Sequence, residues 1–74
     1  MQVTKKELQL FIGKNIREAR TRKHMSAQEL AGRCDFEKST IARLEAGNTN
    51  PTVFTLYKIS QALGVNLEEI VKGV

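Results

Sequence analysis

The sequence predicts an all-α fold, a five-helix bundle, on three observations. Apolar residues recur at steps of three and four, the period of a helix face. Capping and stop residues bracket these runs. Pro51 is the only proline, and no stretch alternates as a half-buried strand would. With 74 residues the chain has room for one domain, residues 1–74. Such a chain buries roughly 60% of its unfolded surface, enough for one small core and too little for a walled catalytic cleft.

The first helix is expected at about residues 5–22. Thr4-Lys5-Lys6-Glu7 is a capping-box pattern, and Leu8, Phe11, Ile12, Ile16 and Ala19 then line one face. Residues 1–4 ahead of it read as a short flexible arm. Gly13 lies mid-helix and costs about 1 kcal/mol relative to Ala, which points to a break or a close packing contact. Ser26-Ala27-Gln28-Glu29 repeats the box and opens a second helix of about two turns, with Leu30, Ala31 and Cys34 inward. A helix that short cannot stand alone in water.

A third helix follows at about 37–46 and stops at Gly47. Only Ile41 and Leu44 suit its core side, and the pair ahead of it, Asp35-Phe36, is an unusual turn. Asn48-Thr49-Asn50-Pro51 has strong turn chemistry. Thr52 then caps a fourth helix with Val53, Leu56, Ile59, Ser60 and Leu63 inward, stopped by Gly64. Asn66-Leu67-Glu68-Glu69 offers a box-like start to a short fifth helix carrying Leu67, Ile70 and Val71. Only a few residues separate the second and third helices, the connection length of a helix-turn-helix, here at about 26–46. One side of the third helix then packs while the other projects.

Twelve Lys and Arg oppose eight Asp and Glu, a net charge of +4. The imbalance is uneven: residues 1–44 hold ten bases and five acids, residues 45–74 two bases and three acids. A basic half beside a near-neutral half suits a protein that lays one side on a polyanion; the alternative is charge that serves solubility alone. The lone Cys34 excludes an internal disulfide and is expected in the core. With His24 as the only histidine there is no metal cluster and no nucleophile–base set, so no catalytic residues, metal or cofactor are expected. No apolar run reaches the ~20 residues of a membrane span and no signal-peptide pattern opens the chain, which implies a cytoplasmic protein.

Residues 12–70 resemble the Cro/C1-type (XRE-family) helix-turn-helix domain of phage repressors and small bacterial regulators. The resemblance rests on linked features: Ile12-Gly13 and Ile16-Arg17, then Ser26 with Glu29-Leu30-Ala31, then Ser39-Thr40-Ile41 with Leu44-Glu45 and Gly47. Pro51 and Ala62-Leu63-Gly64-Val65 complete it. It implies a lambda-repressor-like domain whose third helix enters the DNA major groove, usually as a homodimer on an inverted repeat. Carried onto this sequence, it makes Lys38, Ser39 and Arg43 the base-reading residues. Their chemistry agrees, since Arg and Lys donate to guanine N7 and O6 and Ser either donates or accepts.

The resemblance also assigns backbone contacts to Ala27 and Gln28 at the start of the second helix, to Thr40, and to the loop residues Asn48, Thr49 and Asn50. Helix N-termini favour anions, although short polar loop residues are equally ordinary without any contact. Arg17, Arg22, Lys23 and Arg33 would add a diffuse positive field. Arg20 and Glu45 match a family ion pair that ties the first helix to the third. Phe54 falls on the side of the fourth helix opposite Leu56 and Ile59, where it is either an isolated surface apolar residue or a partner contact. The resemblance favours the second and, with Ile70, Val71 and Val74, assigns it to a dimer interface.

Three positions depart from the family pattern. Ala27 stands where Gln is common, Asp35 where the turn often has Gly, and Glu37 where a small polar cap is usual. Asp tolerates a left-handed turn better than most residues, whereas Glu37 beside phosphates would be repelled unless it accepts from cytosine N4. The leading expectation is a sequence-specific double-stranded DNA-binding regulator of bacterial or phage type. The rival is a protein-interaction module, such as the antitoxin partner of a toxin, with weak operator reading.

Overall fold

The computed structural model describes residues 2–73; Met1, in the expected arm, and Val74, assigned to the interface, lie outside them. Five helices follow one another: α1 (Lys5–Arg22), α2 (Ala27–Cys34), α3 (Lys38–Glu45), α4 (Val53–Leu63) and α5 (Leu67–Val71). Among the described residues there is no strand, and no helix is long and apolar enough to cross a membrane.

The caps explain where each helix begins. Thr4 Oγ1 accepts from the Glu7 N–H at 3.1 Å, and the Glu7 carboxylate accepts from the Thr4 N–H at 2.8 Å, so the first capping box is complete. The backbone bond, then the hydroxyl, hold the Glu7 carboxyl below its ordinary range. Ser26 makes only half a box. Its Oγ accepts from Glu29 N–H at 3.0 Å, but the Glu29 carboxylate is taken by Arg33, one turn on, also at 3.0 Å. Thr52 caps α4 by accepting from Thr55 N–H at 3.1 Å. The box-like reading of Asn66 is overturned, because its side chain makes no cap bond. The five-residue α5 is held by its packing, with Ile70 in the core.

The first four helices stop in the same way. His24, Asp35, Gly47 and Gly64 each adopt a positive φ of 55–75°. In each case the next residue's N–H reaches back to the carbonyl five positions earlier: Met25 to Arg20, Phe36 to Ala31, Asn48 to Arg43, Val65 to Ser60. This is the Schellman arrangement. It accounts for Asp35-Phe36, in which Asp35 takes the left-handed position and half-buried Phe36 packs back on the core. Because an L-residue pays roughly 1–2 kcal/mol there, Asp35→Gly is expected to raise stability by up to about 1 kcal/mol. Thermal unfolding checks this; an unchanged or lower melting temperature would contradict it.

The core gathers Ile12, Ile16 and Ala19 of α1, Leu30, Ala31 and Cys34 of α2, Ile41 and Leu44 of α3, Leu56, Ile59 and Leu63 of α4, and Ile70 of α5. Met25, between α1 and α2, joins them. Cys34 is 1% exposed, and burial pushes its thiol pKa up, which keeps it protonated and unreactive. Ile70 is 0% exposed and Val71 half-buried. Ile70 therefore cannot serve a dimer surface, and its assignment there is corrected: α5 is so short that its one inward turn is spent on the core. Buried Asn15 fastens this end, its Nδ2 donating to the Ile70 carbonyl at 2.9 Å and the Lys72 carbonyl at 2.7 Å.

Candidate nucleic-acid interface

A second stripe on α1, beside its core face, fixes the placement of α3. Lys6, Leu10, Gly13, Arg17 and Arg20 recur at alternating steps of four and three, and every one meets the last turn of α3 or the loop after it. Arg20 is the strongest of these contacts. Its Nε donates to Glu45 Oε2 at 2.7 Å and its Nη2 to Oε1 at 2.9 Å, a bidentate pair. Nη1 also donates to the Met25 carbonyl at 2.9 Å, which ties the α1–α2 turn into the same unit. The Glu45 side chain is 3% exposed and that of Arg20 15%. Donating these bonds to Glu45 raises the Arg20 pKa above its ordinary value.

Gly13 lets the two backbones touch. A Cβ there would meet the Leu44 carbonyl oxygen and lie 2.6 Å from that of Glu45. Leu10 lies against Gly47, and the Lys6 ammonium donates to the Gly47 carbonyl at 2.7 Å. Thus α3 is clamped along its C-terminal half by backbone contact, an ion pair and a lysine.

The clamp leaves one side of α3 outward. Lys38, Ser39, Ala42 and Arg43 are exposed, and among the described residues the side chains of Lys38, Ser39 and Arg43 form no hydrogen bond or ion pair. Ile41 and Leu44 face the core. Eight residues thus divide into a packed side of two and a polar side with two unpaired cations. Ala42 stands between Lys38 and Arg43 on this outward surface; a lone alanine gave no sequence signal that it shared their face.

The assigned backbone-contacting residues surround this face unequally. Thr40, Arg43, Thr49 and Asn50 meet across a cleft of ≈210 Å³ with Pro51, Thr52 and Thr55, between α3 and the start of α4. Gln28 is exposed, whereas the Ala27 side chain packs on the core, so Ala27 offers only its N–H. The N–H groups of Ala27 and Gln28 lack an intramolecular acceptor among the described residues, since Ser26 takes those of Glu29 and Leu30. Glu37 caps α3 without a side-chain bond and stays exposed. The diffuse field expected of four cations is weaker than the count implied. Arg33 pairs with Glu29 at 3.0 Å and Arg17 with Glu45 at 3.3 Å, which leaves Arg22 and Lys23.

Residues 16–70 match the HTH_3 family, described as helix-turn-helix. The chain belongs to that helix-turn-helix family. Its similarity extends to an uncharacterized HTH-type transcriptional regulator, y4dJ, of Sinorhizobium fredii, at 37% identity over 65 residues, 88% of this chain and 84% of that protein. Against control protein C.BamHI of Bacillus amyloliquefaciens the HTH_3 chain is 34% identical over 64 residues, 85% of this chain and 79% of the other. The crystal structure of the restriction-modification controller protein C.AhdI from Aeromonas hydrophila superposes with a TM-score of 0.84 at 26% identity, covering 88% of this chain and 94% of that one. The HTH_3 chain thus has the DNA-binding fold of transcriptional regulators, and its family is one of transcriptional regulators that bind double-stranded DNA and not of enzymes.

Proposed function

We propose that this chain is a sequence-specific transcriptional regulator that acts as a homodimer on an inverted-repeat operator, with α3 in the major groove. The observation that carries this reading is the outward side of α3: two cations and a hydroxyl without partners among the described residues, on a helix whose angle α1 fixes. Arg43 and Lys38 donate to guanine N7 and O6, Ser39 bonds a neighbouring base edge, and the Ala42 methyl meets a thymine methyl. Gln28, the open N–H groups of Ala27 and Gln28, and the rim of Thr40, Asn48, Thr49 and Asn50 hold the phosphates. Glu37, at the N-terminal end of α3, accepts from a cytosine N4 or disfavours other bases.

A single recognition helix reads only a few base pairs, so specificity calls for two copies. The surface that suits a second copy is on α4, where Val53, expected inward, is instead 72% exposed because the first turn overhangs the core, beside exposed Tyr57 and Phe54 at 67%. The Lys58 ammonium lies 5.8 Å from the Phe54 ring and 5.1 Å from that of Phe36, which braces this patch against the α2–α3 turn. Val71 is half-buried and borders the interface at most, so α4 carries the interface. The likeness to two controller proteins favours a cytoplasmic regulator governed by its own concentration through dimerisation.

Phe54→Asp is expected to weaken self-association by roughly 2 kcal/mol or more, as loss of a central aromatic anchor does. Sedimentation across concentration checks it, and a dimer of undiminished strength would remove Phe54 from the interface. The exposed α4 patch also suits the rival reading, a protein-interaction module. Electrophoretic shifts with genomic fragments across salt separate the two. Fragments bound far above the bulk support operator reading, whereas one steep salt slope shared by all fragments means phosphate contact alone and overturns it.

A further inference from the structure

The Lys6 contact has a consequence for the loop after α3. Besides the Gly47 carbonyl, the Lys6 ammonium reaches the Asn48 side-chain oxygen, Oδ1, at 3.2 Å. An ammonium has donors only, so the carboxamide must turn its oxygen to Lys6 and its NH₂ away. Asn48 is exposed, and its backbone N–H is already committed to the Arg43 carbonyl at 3.0 Å. The outward NH₂ group is then the one donor this residue can offer a ligand, and a donor is what a phosphate oxygen needs. Leu10, one turn along α1, lies against Gly47 and holds the same loop from below.

We propose that Lys6 is a positioning residue: it fixes the Asn48 amide with its NH₂ toward a DNA phosphate and so couples the first turn of α1 to the loop on the DNA backbone. This rests on the DNA-binding reading above. Lys6 itself is turned to the loop and does not contact the phosphate; its charge stands at the C-terminal end of α3, where a cation is favoured.

The experiment is a double-mutant cycle on Lys6→Met and Asn48→Ala, with Asn48→Asp and Lys6→Arg beside it. Two quantities are read: the Asn48 side-chain proton–nitrogen resonances of the free protein, and affinity for a random-sequence DNA duplex across salt. Lys6→Met is expected to shift the Asn48 side-chain resonances and to weaken duplex binding by roughly three- to tenfold, the scale of one ordinary hydrogen bond, because the misaimed amide loses only part of its bond to the phosphate. Combining it with Asn48→Ala should add little. Lys6→Arg should restore most of the affinity. Asn48→Asp keeps a partner for Lys6 and so the fold, yet should bind the duplex more weakly than Asn48→Ala, because it presents no donor and adds a negative charge. Unmoved Asn48 resonances in Lys6→Met overturn the inference. So do additive losses with the salt slope reduced by about one, the mark of a direct lysine–phosphate contact. A wild-type protein that binds no duplex overturns this inference and the DNA-binding reading together, whereas binding with additive losses overturns the inference alone.

Discussion

Arg20→Ala is expected to lower the unfolding free energy by about 3 kcal/mol, as breaking one largely buried ion pair does. The loss comes chiefly from Glu45. Its carboxylate is 3% exposed and would lose two short charge-assisted bonds, and the Met25 carbonyl would lose its donor. The lower end of the range of about 3–5 kcal/mol for a broken buried pair applies, because Arg17 still reaches Glu45 at 3.3 Å. Since the Arg20 pKa is raised, its contribution is fully present below the unfolded value and is lost only as pH rises through the folded one. That window is strongly alkaline, so no pH effect from Arg20 is expected near neutrality. Urea unfolding at neutral pH measures the change. Arg17→Ala, at the exposed partner, is the control and should cost less than about 1 kcal/mol. An Arg20→Ala protein within 1 kcal/mol of wild type would contradict the clamp.

Gly13→Ala is expected to destabilise by about 2 kcal/mol, even though alanine is the better helix former. The substitution gains about 1 kcal/mol of helix propensity. Against that, its methyl would meet the Leu44 carbonyl and lie 2.6 Å from the Glu45 carbonyl oxygen. Both obstacles are backbone, so neither can move aside without shifting α3, and overpacking here costs the upper end of its usual range, about 3 kcal/mol. The shift also misaims Arg43, so duplex affinity should fall with stability. Gly32→Ala supplies the contrast. Its added carbon meets nothing within 4 Å, and the change should be neutral or stabilising. Calorimetry of both variants checks the pair, and equal melting temperatures would refute the close approach of α1 to α3.

The sequence made legible what periodicity and glycine encode. Leu8 to Ala19, the stops at Gly47 and Gly64, and the pairing of Ile41 with Leu44 all carry a repeat or a residue type with one dominant physical use. What it hid was encoded by residues with many uses. His24 takes a left-handed stop that no composition announces, and Asn15 is a polar residue whose partners lie at the far end of the chain. Lys6 reads as surface charge until the fold brings Asn48 beside it. The assignment of Ile70 to the interface failed because an apolar residue on a short terminal helix looks the same whether it faces the core or a partner. At the candidate site, the motif singled out Lys38, Ser39 and Arg43, which the fold leaves exposed on one side of α3, whereas Ala42 became visible only as a member of that face.

In the proposed complex, the outer side of α3 reads bases from an angle fixed by α1. Selection of bound sites from random-sequence DNA by wild type and Arg43→Ala tests it most directly. The wild-type protein should enrich two inverted half-sites. Arg43→Ala should bind them about 1–3 kcal/mol more weakly and lose its preference at one base pair in each half-site. No enriched sequence with wild type, or an unchanged preference at every base pair with Arg43→Ala, would contradict the claim.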